Sequence, residues 1–403
     1  MKKSHIVPLA CAAGLLGVGL GAAPAPAAHE VHLVHEGQSI QKAVDAAQPG
    51  DTVVVLAGVY HESVTVRTRG LTLRGLGAST VIEPTAAQLA AAAAPATGTA
   101  AAPKKEAAKK SAAKKATKKA ADKAAKKAAK KSARKRTPVA PTCEGSGNGI
   151  CVIGTKDKAL SGVMVTDLTV RDFPKNGVWA MGTDRLTVRG VVAVNNGQWG
   201  IAQERSTRAV IRGNSVRGSG DAGLFLGNTV SAEQGATDTL GTRVVHNDLR
   251  DNRIGLTVRR LRDLTVTRNV MTANCAAVFV VGDENKPKAG DITIGGNRIE
   301  RNNKYCAKTA RLPFLQGSGI ILTGAENTQV MRNTITGNTG TSPLSGGIVL
   351  FKSFVGVTSE HNRITDNTLS GNGPADLVNQ EATASGNVFQ SNSCRASRPT
   401  GLC

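Results

Sequence analysis

The sequence predicts an all-β solenoid, and three observations carry that prediction. An asparagine-centred unit recurs through the C-terminal half. Short runs alternating between apolar and polar residues flank each copy. The 403 residues include 45 Gly but only 11 Phe, Trp or Tyr, too few aromatics to fill an ordinary globular core.

The recurring unit is Asn, any residue, an apolar residue, two further residues and Asn. It reads Asn247-Asp-Leu249-Arg-Asp-Asn252 and Asn269-Val-Met271-Thr-Ala-Asn274, then Asn297…Asn302, Asn333…Asn338, Asn362…Asn367 and Asn387…Asn392. Weaker copies start at Asp167, Val191 and Asn214. Successive starts lie 22 to 36 residues apart, which fits one coil per unit with certain turns lengthened. Runs such as Leu186-Thr-Val188-Arg precede the units, and glycine-led runs such as Gly223-Leu-Phe-Leu and Gly319-Ile-Ile-Leu follow them. Period-two alternation makes these strands with one face inward, and glycine supplies the corner. Coils stack at about 4.8 Å, so equivalent positions fall into columns. The asparagine columns are expected to be amide ladders that satisfy buried turns rather than metal or sugar sites.

At the N-terminus, Lys2 and Lys3 precede an apolar run from Ile6 to Leu20 and a small-residue stretch ending at Ala28. That pattern predicts a secretory signal over 1–28 and a secreted, extracellular chain with no membrane span. Residues 29–84 are expected to hold an N-terminal cap and the first coil. Ser39 N-caps a short helix with Ile40, Ala43, Val44 and Ala47 on one face. Pro49-Gly50 ends it, and Thr52–Leu56 forms the first strand. The helix covers an open solenoid end. Residues 143–403 carry the repeats, and capped ends predict a monomer.

Residues 85–142 are an Ala/Lys-rich insertion, expected to be disordered. The net charge is +22, of which +14 lies within 104–136 and +6 belongs to the chain outside that stretch and Lys2-Lys3. Basicity confined to one tract, without aromatic interleaving, argues against sequence-specific nucleic-acid recognition. It fits retention on acidic polysaccharide, an anionic cell-wall polymer or another extracellular polyanion by counterion release.

Six cysteines remain beyond the signal, an even number in an exported chain, which favours disulfides over metal ligation. They fall into three sequence-local couples, giving the expected pairing Cys143–Cys151, Cys275–Cys306 and Cys394–Cys403. No cofactor or metal is expected. Asp283-Glu284 could offer oxygens to Ca²⁺, but no third acidic ligand accompanies them.

The asparagine unit and the glycine-led strands, over about residues 150–393, resemble right-handed parallel β-helix proteins of the pectate-lyase-like superfamily. The opening, with Gly37-Gln-Ser-Ile-Gln-Lys-Ala-Val, Pro49-Gly-Asp-Thr and Gly58-Val-Tyr60-His-Glu62-Ser-Val, is similar to pectin esterases of that superfamily. The resemblance implies a single-stranded right-handed parallel β-helix with carbohydrate bound along one outer face. The catalytic segments of pectin esterases, polygalacturonases and alginate epimerases have no counterpart here, so the resemblance assigns no catalytic residue.

The outward positions of the glycine-led strands supply the candidates instead. One lane reads Trp179, Ala202, Phe225, Thr257, Phe279, Ile321, Val349 and Val378. The next reads Met181, Glu204, Gly227, Arg259, Val281, Thr323, Phe351 and Gln380. Trp179, Phe225 and Phe279 are candidate sugar-stacking residues, unless long loops fold over them and bury the lane. Glu204 and Arg259, two coils apart, are the candidate catalytic pair for lyase, epimerase or hydrolase chemistry on an acidic polysaccharide. The sequence favours a protein that binds acidic polysaccharide along this outer face, with its polycationic loop on anionic surfaces; the alternatives are a lyase, epimerase or hydrolase and, through the insertion alone, a protein that captures extracellular polyanion or DNA.

Overall fold

The computed structural model describes residues 29–93, 143–155, 157–228, 234–382 and 385–403. The predicted signal segment and all but the start of the Ala/Lys-rich insertion therefore lie outside the described residues. Among the described residues, three long parallel sheets of 13, 10 and 11 strands wind into a right-handed β-helix, with a two-stranded pair at one corner. We call these the side, back and front sheets. One coil runs through Val178–Met181 in front, Thr187–Arg189 at the side and Val192–Val194 at the back, then returns to Trp199–Glu204 in front.

Alternation explains the core. In the side sheet Val165, Val188, Ile211, Val244, Val266, Ile294, Val330 and Ile364 pair residue to residue in consecutive coils. Each is fully buried, which contributes about 1.5–3 kcal/mol per side chain. Such a column needs medium aliphatic side chains rather than aromatics, which accounts for the composition.

The corners are held by amide ladders. Between side and back sheets, each Nδ2 donates to the next Oδ1 from Asn214 through Asn247, Asn269, Asn297, Asn333 and Asn367 to Asn392, at 2.9–3.0 Å. Between back and front sheets a second ladder runs from Asn252 through Asn274, Asn302 and Asn338 to Asn372. The same asparagines also accept a backbone N–H from the preceding coil, for example Asn269 N–H to Asn297 Oδ1. Each therefore satisfies turn groups that burial would leave without water.

Two copies of the unit lie in a different phase from the one expected. Asn362 and Asn387 do not continue the column of Asn333; they extend a third one beginning at Thr328, between front and side sheets. Asn367 and Asn392 then continue the first ladder. The six-residue motif therefore brackets a back-sheet strand at Asn247–Asn252 but a side-sheet strand at Asn362–Asn367. Any three-residue strand between two corners produces the same spacing.

The N-terminal cap matches its prediction in α1, Ile40–Ala46. The Ser39 hydroxyl accepts the Lys42 N–H, and Ile40 and Val44 are buried. Glu62 reinforces the helix start by accepting the N–H groups of Ile40 and Gln41. One strand precedes the expected first strand: Val31–Val34 pairs with Thr52–Val55 at the sheet edge. A second helix, α2, spans Ala86–Ala93 at the start of the predicted insertion. The three disulfides join Cys143–Cys151, Cys275–Cys306 and Cys394–Cys403, as the local spacing predicted. They fit an extracytoplasmic location. Among the described residues no helix is long and apolar enough to cross a membrane.

Candidate functional site

The front sheet aligns the first outward lane as its alternation predicted. Trp179, Ala202, Phe225, Thr257, Phe279, Ile321, Val349 and Val378 are paired in successive coils. Met181, Glu204, Gly227, Arg259, Val281 and Thr323 form the second lane.

Most of this face is covered. Phe225 and Phe279 are 4% and 3% exposed, within a second apolar cluster outside the coil interior. The segment 303–317 crosses the face and contributes Leu312 and Leu315, while Leu344 comes from the segment 340–345. Cys275–Cys306 ties the first segment down, and the backbones of Cys306 and Leu315 exchange both hydrogen bonds. Trp179 differs in being half-buried, packed beside Cys143, Cys151 and Ile153 in the early coils.

Glu204 and Arg259 share their lane but do not face each other. Glu204 is buried, and its Oε2 accepts the Trp179 indole N–H at 2.9 Å, toward the preceding coil. Between them, the ring of Phe225 lies over Gly227, where an added Cβ would come within 2.9 Å of two ring carbons. Arg259 is half-buried. Of the Ca²⁺ candidates, Asp283 forms an ion pair with Arg260 and accepts the Asn285 N–H.

The geometry adds residues that the alternation did not mark. Trp199 donates its indole N–H to Asp221 Oδ2 at 3.0 Å and stacks on Phe225 with centroids 4.0 Å apart. Both tryptophans of the chain thus hold a carboxylate one coil further on. Strict alternation from the inward Ile201 would turn Trp199 inward too. Gly200 between them lets the parity break, so Trp199 joins the outer cluster. The coil spacing was the available signal, because Asp221 follows Trp199 by 22 residues.

The corner beside these tryptophans forms a polar column. Gln198 N–H donates to the Lys175 carbonyl at 2.7 Å and Asp221 N–H to the Gln198 carbonyl at 2.8 Å. Arg253 follows, donating to the Ala307 carbonyl in the covering segment. Burial pushes its guanidinium pKa below the ordinary value, opposed by the Asp221 carboxylate. Lys175, exposed at the other end, also lines a cleft of about 1060 Å³ at the N-terminal end. Asp45, His61, Arg67, Gln88 and Ser146 line its walls. α2 and the turn after Cys143 both contribute to the lining.

Residues 142–290 and 241–401 match the family described as right handed beta helix region. The chain belongs to this family. No curated protein matches it. Among solved structures it resembles the A-module of Azotobacter vinelandii mannuronan C-5 epimerase AlgE4, at 17% identity and a TM-score of 0.51, over 88% of this chain and 90% of that one. The AlgE6 A-module of the same organism gives 16% and 0.50, covering 89% and 90%. The catalytic domain of a GH87 α-1,3-glucanase, in complex with nigerose, gives 12% and 0.50, covering 91% and 65%. At these identities the likeness concerns the fold.

Proposed function

We propose that this β-helix protein binds an acidic polysaccharide outside the cytoplasm. The contact surface is the half-buried Trp179 and Met181 of the early front sheet together with the N-terminal cleft. The observation that carries the reading is Trp179, half-buried with its indole N–H fixed on Glu204, four residues beyond the exposed Lys175. A fixed indole offers a surface to a sugar ring without further loss of side-chain freedom, and the Lys175 ammonium at the cleft suits a uronate carboxylate. Phe225 and Phe279, sealed under the covering segments, take no part in this surface. The cationic tract within 104–136 adds salt-sensitive attraction to the same polymer or to another polyanion. Likeness to the mannuronan epimerase modules favours a uronan as the ligand.

An enzyme reading rests on the same fold likeness. It gives Glu204 and Arg259 acid–base roles in a lyase, epimerase or hydrolase reaction.

Co-sedimentation with mannuronan, pectate and a neutral glucan tests binding, with and without Ca²⁺. New reducing or unsaturated ends, together with NMR of the recovered polymer, test catalysis including epimerisation. Trp179→Ala should abolish uronan binding while a variant lacking 104–136 retains it at moderate salt. Unchanged binding by Trp179→Ala would sink the proposed surface. Turnover lost in both Glu204→Gln and Arg259→Ala would establish the enzyme reading. DNA retention that vanishes with 104–136, without uronan binding, would leave polyanion capture as the function.

A further inference from the structure

We propose that Glu30, His32 and Asp51 form a site for a divalent transition-metal ion of the zinc type at the N-terminal edge of the solenoid. The edge strand Val31–Val34 pairs with Thr52–Val55, Val31 opposite Thr52. Glu30 and His32 flank Val31 and share a face, while Asp51 precedes Thr52, opposite Glu30 and diagonal to His32. One ligand atom from each residue lies within 4.8 Å of the other two. His32 Nε2 is 3.1 Å from Asp51 Oδ2. That separation is close to the edge of about 3.3 Å expected for a tetrahedron with zinc–ligand bonds near 2.0–2.1 Å.

Asp51 is prepared for such a role. It is 3% exposed, and its oxygens accept the N–H groups of Glu30 at 2.9 Å and Gln48 at 2.7 Å. Two backbone amides thus hold the carboxylate in place, with the His32 imidazole beside it. Imidazole with carboxylates suits zinc and related metals, whereas calcium and magnesium prefer oxygen alone. The edge strand gains little from burial, because Val31 and Leu33 are 62% and 58% exposed. A metal joining Glu30 and His32 to Asp51 would fasten that strand to the first full coil.

The test is zinc titration of the full chain by calorimetry after chelator treatment, with thermal unfolding in parallel. His32→Gln and Glu30→Gln are the variants, because both leave the amide contacts of Asp51 in place. The site predicts one zinc ion per chain, affinity reduced roughly tenfold or more in each variant, and a zinc-dependent rise in Tm that His32→Gln loses. Absence of zinc binding, or binding equally strong in both variants, overturns the proposal. If His32→Gln unfolds without metal, Glu30→Gln alone decides by the same criteria.

Discussion

Asn372 donates from Nδ2 to Asp376 Oδ1 at 2.8 Å, and this contact closes the second amide ladder. An asparagine in the final place would require yet another acceptor for its own amide, whereas a carboxylate only accepts. Asp376 takes the Asn372 backbone N–H on the same oxygen and the Arg395 N–H on the other.

Asp376→Ala removes the acceptor for three N–H groups at a buried site. The variant is expected to lose about 2–4 kcal/mol of stability, read as a fall in Tm with earlier proteolysis of the C-terminal coils. Asp376→Asn keeps one carbonyl oxygen and should lose less. A wild-type Tm in the alanine variant would show that the ladder needs no terminal acceptor.

Gly227→Ala places a methyl group against the ring of Phe225, which in turn stacks on Trp199. The expected result is a changed near-UV circular dichroism spectrum and Trp199 emission, with far-UV β signal retained. Spectra identical to wild type would mean that the ring has room to move.

Reduction, or Cys306→Ser, releases the segment 303–317 from the front sheet. A closed loop of this length contributes about 3–4 kcal/mol in the chain-entropy account. Lifting Leu312 and Leu315 should uncover Phe279 and its neighbours. Enhanced binding of a hydrophobic dye together with a lowered Tm is therefore expected; a lowered Tm without dye binding would show that the cover remains seated.

The Arg208 guanidinium holds the Asp184 carboxyl below the usual carboxylate range, with burial opposing it and Thr207 and Ser161 helping. Because the folded pKa is depressed, the stabilisation is complete above the unfolded value near 4 and fades as pH falls through the lower folded value. Asp184→Asn should flatten the stability profile in that acidic window and leave the slope near neutrality unchanged. An unaltered acidic slope would remove Asp184 from the account.

Periodic features were the legible ones. Register along the front lane follows from counting, because every coil repeats the same two-residue alternation and pairs with its neighbours. The phase of Asn362 and Asn387 was not legible, since side-sheet and back-sheet strands share one length and both carry asparagine at their ends. Burial of Phe225 and Phe279 depends on Leu312, Leu315 and Leu344, which dock from outside the repeat and leave no periodic trace. Trp199 was hidden by the parity break at Gly200. The Glu30–His32–Asp51 cluster needed the pairing of an edge strand that the glycine and asparagine signals do not mark.

α2 and the turn after Cys143 both line one cleft, so the polypeptide departs from the scaffold and rejoins it at a single doorway. Thr80–Glu83 is anchored by pairing with Thr169–Arg171, and Ile150–Ile153 by pairing with Val64–Val66. Neither anchorage involves the stretch between them. Both flanks are thus seated by scaffold strands, which carry the winding of the coils across the tract from one side to the other.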